Sequence, residues 1–176
     1  MNIDAIHKEI DQWIHEYLDV PSEFYNGLKP CPFALKAWRD NKTKILIGDS
    51  STVEEEISNW DSSYDLVGIA YDPDLWSDKD ADDWAEERNK TLAHDNLYLM
   101  VSASQDEVED PEYDMDHLPC HVDFVYGLVF IQSLSELNKY SEMLDKQGYY
   151  DNCSKDFMTY ITTRKKAEHA RKKEDG

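Results

Sequence analysis

The sequence predicts an α+β sandwich: a single domain on a mixed sheet of about four strands, covered by several helices that include both chain ends. Three observations carry this. Segments with apolar residues at helical spacing alternate with short apolar runs of strand length, in the order α α β α β α β β α α. Alternating strands and helices predict a parallel start to the sheet, whereas the third and fourth strand segments are joined by a stretch without helical pattern, which suits an antiparallel pair. The 176 residues are 40% apolar and rich in aromatics, enough for one sizeable core.

The elements follow in order. Ile3, Ile6, Ile10, Trp13, Ile14, Tyr17 and Leu18 fall on one face of a helix over 3–18. "DVPSEFYNGLKP" breaks it with Pro, Gly and Asn. A second helix starts at Pro32, where the missing N–H costs nothing, and runs to about Asp40. "KTKILIGD" reads as a buried strand. "SSTVEEEISNW" is a short helix with Ser51 or Thr52 as N-cap and acids in its first turn. "DLVGIAYD" is the second strand, and "DADDWAEERNKTLAH" a helix with Trp84, Arg88, Thr91 and Leu92 three or four apart. The acids at 80, 82 and 83 suit that helix's positive end. "NLYLMVSAS" is the third strand, "QDEVEDPEYDMDHLPCH" an acidic loop, and "VDFVYGLVFIQS" the fourth strand. "SLSELNKYSEMLDKQGYY" is a helix with Ser135 as N-cap and Gly148 near its stop. A last helix covers about 154–173. Residues 1–163 make the domain, and 164–176 a basic helix end or tail.

Charge is the strongest global feature. The chain holds 38 acids against 18 bases, a net charge of −20. Residues 49–116 carry 22 Asp and Glu against Lys79, Arg88 and Lys90, while Arg164 to Lys173 hold six bases and one acid. An acidic middle repels nucleic acid and acidic membranes and attracts a basic protein partner, or mimics DNA phosphates on a nucleic-acid-binding protein; it also simply keeps a chain soluble. Asp106, Glu107, Glu109, Asp110, Glu112 and Asp114 are the densest part and the predicted contact surface. No apolar run reaches the ~18 residues of a transmembrane helix, and the acidic, amphipathic start lacks a secretory h-region. Three cysteines, Cys31, Cys120 and Cys153, read as thiols in a reducing cytoplasm.

Cys31 is the candidate catalytic residue. A thiol at a helix N-terminus meets unpaired N–H groups and the positive end of the dipole, which favour thiolate. Ala34 stands where a C-x-x-C motif would carry its second cysteine, so the bland reading is a buried cysteine at a helix start. His117, Cys120 and His121 are candidate metal ligands, with Asp116, Asp123 or Cys31 completing the set. His121, Asp123 and His169 give the elements of an iron-oxygenase triad, a fold that needs many more strands. "YDPDLWSDKDADDW" is oxygen-rich but lacks the EF-hand order. Five Trp and eleven Tyr can stack on a ligand or fill the core. No dinucleotide, P-loop or nucleophile-elbow motif is present, and no cofactor is expected.

"NGLKPCPFALKAW" and "VYGLVFIQSLSELNKYSEMLDKQGYYD" resemble short uncharacterised proteins of marine bacteria and their phages that carry a P-C-P-[FY]-A-x-x-A-W box. The first segment is also similar to a bacterial family of unknown function with an L-C-P-F-A box after an N-terminal helix; Pro30 stands where that family has Leu. The C-P-F-A order occurs in glutathione transferases with a catalytic cysteine too, but there a strand leads into it, and here a helix and a turn do. The resemblance implies an intracellular, phage-encodable protein and no particular chemistry. Two classes stay open: a non-catalytic binding or accessory protein acting through its acidic surface, or a small thiol-dependent enzyme or ligand-binding domain around Cys31, aided by His117 or His121. The oligomeric state is unknown.

Overall fold

The computed structural model describes residues 1–102, 104 and 124–174, excepting the side chains of Asp156 and Glu174. Its helices are α1 (Ile3–Trp13), α2 (Pro32–Arg39), α3 (Ser50–Ser58), α4 (Asp78–Leu92), α5 (Leu134–Asp145) and α6 (Lys155–Glu174). Its strands are β1 (Thr43–Ile47), β2 (Leu66–Tyr71), β3 (Leu97–Ser102) and β4 (Gly127–Ser133).

Local chemistry sets the helix starts. Asn2 caps α1 by accepting from Asp4 N (2.9 Å) and Ala5 N (3.2 Å). The predicted helix over 3–18 is α-helical only to Trp13. Ile14–Leu18 form a π turn in which Asp19 N reaches back to Ile14 O (2.8 Å). Ile14 and Leu18 remain buried beside Ile6 and Ile10. Two predicted caps move. Asp49, not Ser51 or Thr52, caps α3 by accepting from Ser51 N and Thr52 N, so the acids fall after the first turn. Ser133, not Ser135, caps α5. Ser135 N instead donates to Asn96 (3.0 Å), which ties the start of β3 to α5.

The sheet order is β1-β2-β4-β3. β1 and β2 are parallel, with Ile45 opposite Gly68. β4 runs antiparallel to both neighbours, with Val129 opposite Ile69 on one side and Val101 on the other. The predicted parallel start and antiparallel third–fourth pair are both observed. The β1–β2 and β2–β3 crossovers step the same way across the sheet, so one hand places α3 and α4 on the same face. There Val53, Ala81, Ala85 and Leu92 pack on Val67, Ile69, Leu99, Val129 and Ile131. The opposite face carries α1 and α2 over Ile45, Ala70 and Leu128, with Tyr98 under Leu134 and α6. The result is a single-domain α+β fold with helices on both sides of a mixed sheet.

β3 is an edge strand, a liability if its outer backbone groups stay open. Asn89 from α4 closes it: Nδ2 donates to Leu99 O (3.0 Å) and Oδ1 accepts from Leu99 N (2.8 Å). One amide thus imitates a further strand.

The helix covering the C-terminal bases is docked through polar groups. Arg164, 2% exposed, donates from Nε to Asn138 Oδ1 (2.9 Å) and from Nη2 to Ser141 Oγ on α5. Asn138 Nδ2 donates to Glu168 (2.7 Å), which pairs with Lys172.

Candidate functional site

Cys31 occupies the N-cap of α2, with Pro32 in the first turn and no side-chain capping bond. Pro30 is buried and Cys31 half-buried. Phe33 and Ala37 face the core, with Trp38 partly covered, as the apolar spacing requires. The preceding turn packs on the α5–α6 connection. Tyr25 stacks on Tyr149 with ring centroids 4.3 Å apart, Asn26 Nδ2 donates to Gly148 O (2.6 Å), and Asn152 Nδ2 donates to Phe24 O (2.9 Å). Cys153 sits in that connection against Tyr25, Tyr149 and Tyr150. Burial pushes up the Tyr150 phenol, a hydrogen bond with Ser141 and the Arg164 charge oppose it, and both thiols lie within electrostatic reach. Burial also pushes the Cys153 thiol up. Neither Cys31 nor Cys153 is in a disulfide. A depression of about 400 Å³ runs along α2, lined by Lys29, Pro32, Leu35, Lys36, Arg39 and Asp40; Cys31 is not among its lining residues.

The second feature lies at the carboxyl ends of β1, β2 and β3, where β4 begins. Asp49 follows β1, and Asp72 and Asp74 follow β2. α4 starts at this edge, capped by Ser77; Asp78 and, as expected, Asp80 occupy its first turn, while Asp82 and Asp83 fall just after it. Ser104 and Phe124, which bound the stretch 105–123, extend β3 and β4 at the same end, because Ser102 lies opposite Leu128.

Charge crowds here. Burial and the like charges of Glu86 and Asp83 push the Asp82 carboxyl up, whereas Asp49 is held low, first by the Ser51 hydroxyl and then by the N–H groups of Ser51 and Thr52. Lys79 pairs with Asp83, Arg88 with Glu54 and Lys90 with Glu87. Among the described residues no ion pair reaches Asp49, Asp72, Asp74, Asp80 or Asp82.

Sequence reasoning missed one acid of a different kind. Asp78 is 4% exposed and accepts from the Tyr71 hydroxyl, Ser104 N (2.9 Å) and Ser104 Oγ (2.6 Å). Beside it, Tyr71, Trp76 and Trp84 form an aromatic ladder with centroid spacings of 5.1 and 5.5 Å. "SDKDADDW" gives no sign that one of its carboxylates is buried, since its partners come from two strand ends.

The predicted contact acids Asp106, Glu107, Glu109, Asp110, Glu112 and Asp114, and the predicted ligands His117, Cys120 and His121 with Asp116 and Asp123, lie outside the described residues. His169 is exposed on α6, its Nδ1 2.8 Å from Lys165 O. Among the described residues no group of three His, Cys, Asp or Glu is placed to hold a metal ion, and no helix is long and apolar enough to cross a membrane. Compared with protein-family models, with curated proteins and with solved structures, the chain matches none.

Proposed function

We propose that this is a non-catalytic binding or accessory protein of the cytoplasm that engages a basic protein partner through the acidic edge of its sheet. The observation that carries the reading is convergence. Asp49, Asp72, Asp74 and Asp80, scattered in sequence, meet at the one edge where β1 and β2 end and α4 begins, and both ends of the most acidic stretch are also rooted there. Like charges held together raise the local potential, and a cationic partner relieves that repulsion on arrival. A lysine-rich peptide is expected to bind the full chain in low salt and to lose at least about tenfold in affinity in about 1 M salt, where screening acts within about 3 Å. The combined Asp72→Asn, Asp74→Asn and Asp82→Asn variant is expected to bind it more weakly. Affinity unchanged by salt and by these substitutions overturns the reading.

A second reading is favoured by the placement of Cys31, at a helix N-terminus with Tyr150 within electrostatic reach. It makes the protein a small thiol-dependent enzyme or ligand-binding domain. Alkylation of Cys31 followed against pH tests it: a thiol titrating well below the ordinary value of about 8.5 supports it. One titrating at that value, or reacting only on unfolding, removes it.

A further inference from the structure

Two aliphatic side chains stand out at the acidic edge. Leu75 is 87% exposed and Val125 74%. The turn from Asp72 to Leu75, closed by Leu75 N donating to Asp72 O (3.0 Å), throws Leu75 outward. β2 and β4 end side by side here, with Tyr71 opposite Gly127, so Val125 lies across from the same turn. Scattered exposed aliphatics are ordinary. Leu75 directly precedes the half-buried Trp76, whose ring packs on Trp84 and on Tyr71, the residue paired with Gly127 two positions after Val125. The rim is acidic: Asp72 and Asp74 precede Leu75, and Asp80 stands one turn before Trp84 on α4.

We propose that this corner is the docking surface for a cationic amphipathic segment of a partner protein, an aliphatic residue seated on Leu75 and Val125 with flanking Lys or Arg over Trp76, Trp84 and the rim carboxylates. The inference rests on the acidic-edge reading and names the chemistry of its partner. Charge complementarity selects the occupant. An anionic or neutral apolar segment would bury itself against uncompensated carboxylates, whereas Lys and Arg meet both those charges and the indole faces, which attract cations. The apolar contact supplies affinity that salt does not screen, and the acids supply steering and register.

Two synthetic peptides test this on the full-length chain: an amphipathic peptide of lysine and leucine, and the same peptide with serine for each leucine, both followed by fluorescence anisotropy. The leucine peptide is expected to bind at least about tenfold more tightly. Leu75→Ser with Val125→Ser should erase that difference while leaving the weaker, salt-sensitive binding of the serine peptide. Both sites are exposed, so the thermal midpoint should not move; if it does, the comparison of the two peptides on the unaltered chain carries the test. Equal affinity for both peptides, or a leucine advantage that survives the double variant, overturns the docking surface and leaves the acidic-edge reading standing. Binding of neither peptide in low salt overturns both. Self-association in sedimentation that Leu75→Ser abolishes assigns the corner to a second copy of the chain and overturns the proposal.

Discussion

Replacing Asp78 by alanine is expected to cost about 3–5 kcal/mol of stability. The carboxylate takes three donors, the Tyr71 hydroxyl and both the N–H and Oγ–H of Ser104, in a place with 4% exposure. Ser104 is itself buried, 2% exposed, so water does not replace the acceptor that its N–H and hydroxyl lose. Each orphaned buried donor costs about 1–3 kcal/mol. Against a total of about 5–15 kcal/mol for a typical domain, that is a large share. Urea unfolding reads it as a lower midpoint at unchanged slope. Tyr71→Phe should cost less, about 1–2 kcal/mol, because the carboxylate keeps its two bonds from Ser104. A loss below about 1 kcal/mol in Asp78→Ala would show that the donors find other partners.

Gly127 belongs to the same knot. A Cβ there would overlap the Tyr71 ring and crowd the Asp78 carboxylate, which explains a glycine at the first residue of a central strand. The knot fixes the ends of β2, β3 and β4 relative to the start of α4. It therefore fixes the edge at which the acids and the exposed Leu75 and Val125 are presented.

The elements were legible where one physical signal dominates. The spacing of Ile6, Ile10, Ile14 and Leu18 defines a buried stripe whether the last turn is α or π. Pro32 opens α2 because its fixed φ and missing N–H suit no other nearby position as well. Where several residues compete, local reading fails. "GDSST" offers four capping residues in succession, and the choice falls to Asp49 because the strand pairing that holds Gly48 N on Ala70 O (3.0 Å) ends just before it. "SLS" offers two serines, and Asn96, 39 residues away, engages Ser135 N. Long-range chemistry was illegible for the same reason. Asp78 looks like its exposed neighbours in an acidic run, and Arg164 like the other bases of the tail, until the fold brings partners 26 residues away to each. Of the candidate site, the helix-cap position of Cys31 was readable from Pro30, Cys31 and Pro32. Its electrostatic reach to Tyr150 was not, because that depends on how two turns pack.

Arg164→Met is expected to cost about 3 kcal/mol. Methionine keeps much of the buried stem's packing and removes the charge and its bonds. Burying a guanidinium is itself unfavourable, so its loss is not automatically destabilising. What decides the sign is what remains: Asn138 and Ser141, 1% and 3% exposed, lose a charged donor each, and hydrogen bonds to charged groups contribute about 1.5–3 kcal/mol. The guanidinium also lies 5.9 and 5.8 Å from the Tyr98 and Tyr160 ring centroids, a further contribution lost. If this account holds, adding Ser141→Ala to Arg164→Met recovers part of the loss, because one orphaned hydroxyl leaves with its donor, while Asn138 stays to serve Glu168; a double variant that adds the single costs independently contradicts it. The same contact sets an acid limit. Burial alone would raise the Glu168 carboxyl, but hydrogen bonds from Lys172 and Asn138 outweigh it and hold it below its ordinary 4.5. A carboxyl depressed in the folded state stabilises fully above its unfolded value and loses that contribution as pH falls through the folded one. The docking of α6 on α5 should therefore weaken below pH 4.5, and Glu168→Gln should flatten that limb of the stability curve. Amide hydrogen exchange along α6 measures it: an acid limb that keeps its slope in Glu168→Gln would place the titrating group elsewhere.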